Sequence, residues 1–599
     1  MSAKSTSRRR PGVPRARAAT PAQGRAGAHE TWLLAALAAC LALRAAASLS
    51  ASSWLWGLNT FRDWPLPWPV VLPALAAVAF VPAVARAGAR PLARLGDALA
   101  RGGAVARGLL ATAVAVALFL LRDPIRFTGD SSSRVSLISW GADLRALMPQ
   151  ISPLDLLVNV NGARWLMRAG LPVDTAIQAI GALTGAVLTL AMLAFLRAAG
   201  ARGAAWSAAV ALLLGGGSLV HLAGYEKYGL LLIGLTLAAT GAVRLAREGG
   251  GAWMLAGGLV LALLAHRSAY AVMPAGLWAF ATAWRAAPRE RRAGLAGAAA
   301  AATAAALALL PHTAGVLVHY DLGVNIIGSA TAGRVELARQ LANIVNALFL
   351  LSPLWPVGAA ALWSLRRRAT GDPRGGLPLA GVAGLAVAGE LAVMIVTRGK
   401  QGPLRDWDNQ VGPALVVTLV TAYALVALWR RSGMARSALP VCATALVMGV
   451  ALWGIHVGAG IGERRVATLL TDPAAWNTEE WAQAHDFIGQ RAFNAGRYEE
   501  AARAYGIAAA RAPSPRMLDN VAVALSMAGR DEEARDALAR AMTVPQSSAA
   551  MWVALARAAE TLGDSARAAL CMDSARALLA RGTGARGPRQ AGGGPAHSP

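Results

Sequence analysis

Cysteine is scarce in this chain, with three residues in 599. Cys40 and Cys442 fall inside apolar runs and Cys571 lies in a polar C-terminal region, so neither a disulfide framework nor a thiolate metal spacing is laid out. Charge is scarce too, at 15% of residues, and long stretches carry almost none. With 56% hydrophobic residues and a positive mean hydropathy, this pattern excludes an ordinary soluble domain and marks a multi-span membrane protein. Acidic residues number 32 against 58 basic ones, leaving a net charge of +26. In a soluble protein that excess would suggest nucleic acid. Here the arginines sit in short segments between apolar runs, as in cytoplasmic loops, and no nucleic-acid partner is expected.

Residues 1–30 hold Arg8, Arg9, Arg10, Arg15, Arg17 and Arg25 among Ala, Pro and Gly, and read as a disordered basic cytoplasmic tail. The apolar run from Trp32 to Leu49 has two readings: a signal peptide with a small-residue cleavage site near Ala45 to Ala51, or an uncleaved anchor. The long basic region before it favours the anchor. A spanning helix needs about twenty apolar residues. Between 31 and 460 about thirteen candidates occur: 32–50, 67–85, 107–121, 173–197, 203–222, 228–244, 251–265, 268–284, 293–311, 342–363, 377–396, 411–429 and 438–459. With the N-terminus inside, segments 86–107, 198–202, 245–250, 285–292, 364–376 and 430–437 face inward, and each carries arginine. Trp54, Trp56, Trp64 and Trp68 suit an interfacial belt on the outer side. An odd number of spans puts everything after Gly460 outside, in a bacterial inner membrane with external, periplasmic C-terminal residues.

In region 461–582 a repeat is visible. Gly496, Gly529 and Gly563 are 33 and 34 residues apart, Ala501, Ala534 and Ala568 follow each glycine by five, and Ala508, Ala541 and Ala575 follow by twelve. Small residues at fixed places let the two helices of a hairpin approach closely, and the period resembles the tetratricopeptide repeat. Stacked repeats would form an α-solenoid with a shared core. Its role is either to bind a protein or peptide partner or to cap the membrane domain. Residues 583–599, rich in Gly and Pro, read as disordered.

Four polar motifs fall on the expected outer side. In the outer loop 122–172, Ser152-Pro153 starts an amphipathic surface helix, and Phe127-Thr128-Gly129-Asp130 precedes it. A carboxylate there can take a proton from an acceptor hydroxyl or bind a divalent cation; the alternative is a solvated turn. Gly224-Tyr225-Glu226-Lys227-Tyr228 joins two spans, and Glu226 would meet sugar hydroxyls or a cation. His266-Arg267-Ser268 interrupts an apolar region, where charge is costly and often functional. Arg267 can hold a lipid phosphate. Between Arg398 and Asn409, Lys400, Arg405, Asp406 and Asp408 suit a phosphate and a polar acceptor together. Glu390, inside a span, implies a cavity or a buried partner, the partner being favoured. His221, His266, His312, His319 and His456 all fall at outer ends, with no metal spacing among them.

Together these motifs resemble the GT-C fold glycosyltransferases, which transfer sugars from polyprenyl-phosphate donors on the outer side of the membrane. The resemblance spans roughly 105–430. It implies an all-α polytopic bundle with a GT-C-like arrangement, Asp130 as the catalytic carboxylate acting as base or metal ligand, and a polyprenyl-phosphate-linked sugar as donor. Arg267, Lys400 and Arg405 then become phosphate contacts, with Glu226, His266, Asp406 and Asp408 also lining the substrate site. No cofactor is required beyond a divalent cation as an option, and the metal ligands are unknown. Two rival readings are a lipid or solute transporter and a non-catalytic scaffold that works through its repeats.

Overall fold

The computed structural model describes residues 23–50, 52–129, 134–135, 138–139, 141, 150–223, 228–318, 334–366, 379–396, 402, 404–432, 435–471, 478–545 and 548–584. Among them the ordered elements are all helices. The N-terminal third holds α1 (Gln23–Ala47), α2 (Trp68–Val78), α3 (Pro82–Arg101), α4 (Gly103–Leu120), α5 (Val173–Ala199) and α6 (Gly203–Gly215). Next come α7 (Gly217–Ala223), α8 (Gly229–Glu248), α9 (Ala252–Ala265), α10 (Met273–Ala286), α11 (Arg289–Val316), α12 (Arg334–Leu351) and α13 (Trp355–Arg366). The bundle closes with α14 (Leu379–Val396), α15 (Val411–Ser432), α16 (Ala438–Val457) and α17 (Ala459–Leu470).

Seven helices in the described residues are long and apolar enough to cross a membrane, and up to nine segments qualify if each of two bent pairs counts as one span. Large apolar side chains such as Leu109, Val116, Leu183 and Leu307 are exposed on them, as a lipid-facing surface requires. Two sequence expectations change. The segment 86–107, expected as an inner loop, is largely helix α3, which leaves α2 at 83°. Pro82 sits in the first turn of α3, where its missing N–H costs nothing. Arg86, Arg90 and Arg94 repeat every fourth residue on an exposed stripe, while Ala85 and Gly96 are buried. The expected single span 342–363 breaks by 89° between Leu351 and Trp355, at Ser352-Pro353-Leu354.

Close packing inside the bundle depends on small residues. A Cβ at Gly241 of α8 would lie 2.2 Å from the Leu255 nitrogen of α9, so the two backbones touch there. That contact aligns α8 and α9 side by side, with Tyr228 before the first and His266 after the second at the same end.

The C-terminal region is a run of six helices, α18 (Thr478–Asn494), α19 (Tyr498–Arg511), α20 (Pro515–Met527), α21 (Asp531–Thr543), α22 (Ala549–Thr561) and α23 (Ser565–Gly584), each packed on the next. Gly496, Gly529 and Gly563 turn the chain with positive φ, and the six alanines of the repeat pattern are all buried. Ala484 and Phe487 of α18 join the core of the bundle, while α19 to α22 share a core of their own.

One buried acid in this region carries a pH prediction. Asp519 of α20 has a buried carboxylate oxygen with no hydrogen-bond partner among the described residues, and burial pushes its carboxyl up to about 6. Because the folded state disfavours the ionised form, this group's stabilisation is full below about pH 4 and is lost as pH rises through about 6. Asp519→Asn is expected to stabilise the helical run by about 2 kcal/mol at pH 7.5 and to flatten its stability between pH 4 and 7. Limited proteolysis of the full chain across that range measures it, and an unchanged slope in the variant refutes it.

Candidate functional site

The described parts of the four polar motifs meet at one end of the bundle. Arg405 is the joint. Its Nε donates to the Phe127 carbonyl at 3.1 Å, and its own carbonyl accepts the Gly129 N–H at 2.8 Å, so residues 127–129 and 405 hold each other by one side-chain and one backbone bond. Its Nη1 donates to the Gln483 carbonyl of α18 at 3.2 Å. The guanidinium packs beside a touching pair of phenyl rings, 5.2 Å from the Phe127 ring centre and 4.9 Å from that of Phe487, the rings themselves meeting edge-on at 5.4 Å. Arg405, expected from the sequence as a phosphate contact, is 6% exposed and joins the loop, the start of α15 and the C-terminal helices. The reason is geometric, since carbonyls and rings from three segments converge on its planar fork.

Asp406, Trp407 and Asp408 follow in a buried 3-10 turn, Asp406–Gln410, that leads into α15. Carboxylates just before a helix lie near the positive end of its dipole. Asn409 accepts a hydrogen bond from the Tyr228 hydroxyl at 2.5 Å. The Tyr228 ring lies edge-on to His266 at 4.9 Å and tilted against His221 at 5.5 Å. His221 in turn meets Trp407 at 6.2 Å, and Trp407 meets His456 at 5.2 Å. A continuous ring-to-ring path thus runs from His266 to His456 through side chains of five segments.

His266 ends α9, and its Nδ1 accepts the Ser268 N–H at 3.2 Å and lies 2.8 Å from the Ser268 hydroxyl. The ring is therefore a turn-forming cap as well as Tyr228's neighbour. Arg267 is half-buried at the first residue of the 3-10 turn Arg267–Val272, on the same end of the bundle. Asp130, Glu226 and Lys400 lie outside the described residues.

Sequence reasoning missed the most chemically organised pair. Asp123 accepts the backbone N–H groups of Ile125 at 2.7 Å and Arg126 at 3.0 Å through Oδ1, and its Oδ2 lies 3.1 Å from Nδ1 of His456. With its Nδ1–H donated to Asp123, neutral His456 presents Nε2 as an acceptor. That nitrogen is buried and has no hydrogen-bond partner among the described residues. Both side chains line a cavity of about 50 Å³ with Thr128, Trp407 and Arg465. Arg465 is fixed by Asn59 Oδ1 at 2.8 Å, Asp63 Oδ2 at 3.2 Å and the Trp56 carbonyl. Burial lowers its pKa, and the Asp63 carboxylate opposes that. The clustering of histidines at outer ends was the available sequence signal, and three of them do converge here. The partner of His456 lies 333 residues away, beyond any local pattern.

Glu390 was expected to have a buried partner. It is 1% exposed in α14, and neither carboxyl oxygen has a hydrogen-bond partner among the described residues. Its neighbour Gly389 packs against Ala271, where a Cβ would lie 2.1 Å from the carbonyl oxygen, so the backbone of α14 lies directly against the turn after His266. Among the described residues no cluster of three His, Cys, Asp or Glu side chains is placed to hold a metal ion. Compared with family models, curated proteins and solved structures, the chain matches none.

Proposed function

We propose that this end of the bundle transfers a sugar from a polyprenyl-phosphate donor to an acceptor on the outer face of the membrane. On this reading the bundle is a GT-C-like domain of about thirteen spans, and the C-terminal helices are three tetratricopeptide-type repeats held outside. The observation that carries it is the junction of residues 123–129, 228, 266–268 and 405–409, which brings acids, histidines and a small, mostly apolar cavity holding Asp123, His456 and Arg465 together at the end of apolar helices. The donor's hydrocarbon tail would stay in lipid, and its phosphate would meet Arg267 and Lys400 at the interface. The acceptor oxygen would bond the anomeric carbon as the carbon–phosphate oxygen bond breaks, its electron pair leaving with the lipid phosphate. Asp130, or the free Nε2 of His456, would take the acceptor's proton.

A photoreactive polyprenyl-phosphate analogue tests this in the full chain reconstituted in nanodiscs. Labelling should concentrate in peptides covering 123–129, 224–228, 266–268 and 398–409, and unlabelled polyprenyl phosphate should displace it. Labelling spread evenly over the apolar helices overturns the reading.

A further inference from the structure

At the opposite, arginine-bearing ends of the helices lies a cavity of about 480 Å³ between α4, α5, α8 and α9. Its walls have a graded chemistry. Along α5 the lining residues run Leu190, Ala194, Arg197, and along α8 they run Thr240, Arg244, Glu248, each spaced by three or four positions on one helix face. Both helices therefore pass from less polar to charged in the same direction. Arg107, near the start of α4, closes the charged end, and its Nη1 is buried with no hydrogen-bond partner among the described residues. Glu248 pairs with Arg244 at 3.2 Å, so the cavity keeps the charges of Arg107 and Arg197 uncompensated by its own walls. Neighbouring arginines are otherwise engaged: Arg247 donates to the Ala198 carbonyl and Arg430 to the Ala199 carbonyl, capping the end of α5.

We propose that this cavity holds the phosphate of an anionic membrane lipid, with the glycerol and upper acyl chain lying along the Leu190–Ala194 stripe. Two guanidinium groups above an apolar floor match an anion attached to hydrocarbon. A small soluble anion would use the arginines but leave the floor bare. The site is independent of the proposed sugar transfer, which lies at the other end of the helices.

Native mass spectrometry of the full chain tests it, after exchange into mixed micelles of phosphatidylglycerol and phosphatidylcholine. Wild type should retain phosphatidylglycerol preferentially, and the double variant Arg107→Gln/Arg197→Gln should lose that preference by roughly tenfold or more. Retention should survive millimolar inorganic phosphate. Absence of any preference in wild type overturns the proposal whether or not the variant folds. So does an unchanged preference in a folded double variant, and so does displacement by inorganic phosphate alone, which would make the ligand a free anion.

Discussion

Asp130→Asn is expected to lower the proposed sugar transfer by about a thousandfold while leaving the chain folded, the scale of losing a positioned general base. Asp130 follows Gly129, whose N–H is bonded to the Arg405 carbonyl, and Thr128 lines the cavity that His456 and Asp123 share. The amide keeps the shape and removes the proton acceptor. Release of polyprenyl phosphate from a lipid-linked sugar, measured alongside thermal melting, separates lost chemistry from lost structure. His456→Gln in the same assay divides the work between two candidate bases. If Asp130 is the acceptor, the histidine variant loses little rate and keeps the wild-type pH profile. A scaffold that works only through its repeats would instead tolerate Asp130→Asn and fail when residues 482–582 are removed.

Arg405→Ala should be the most damaging substitution for the architecture. It removes hydrogen bonds to the carbonyls of Phe127 and Gln483 and the packing on two phenyl rings. Bonds from a charged donor contribute about 1.5–3 kcal/mol each. Because the contacts are cooperative rather than additive, a total loss of about 4 kcal/mol is expected. The two carbonyls and two rings would be left facing an empty space. Lysine should not rescue, since a single ammonium cannot spread planar donors to both carbonyls while packing on the rings. Melting temperature should fall and trypsin should release α18 to α23 faster than in wild type. Equal protease resistance would show that the C-terminal helices are held to the bundle by other contacts.

Much of the helical layout was readable because lipid enforces a simple code. Apolar runs became helices, and arginines marked the ends that cluster near Arg197, Arg247 and Arg430. The common location of the polar motifs was legible from their position at helix ends. What could not be read was the detail of how they touch. Arg405 has the charge of a phosphate ligand, and only the approach of Phe487, 82 residues later, makes it a clamp. The bend between Leu351 and Trp355 was hidden because both arms are apolar and hydropathy is blind to direction. The stretch 86–107 looked like a loop because arginines suppress hydropathy, although their four-residue spacing is that of an amphipathic helix.

The convergence itself can be measured by cross-linking. Thr128→Cys paired with Leu404→Cys, both on the wall of the small cavity, should be joined by a short bismaleimide in the full chain embedded in membranes, with the product identified by peptide mass. A cross-link that forms in the pair and in neither single variant is the predicted result. Two cysteines that each react with a monofunctional maleimide yet never join would contradict the meeting of the loop and the segment before α15.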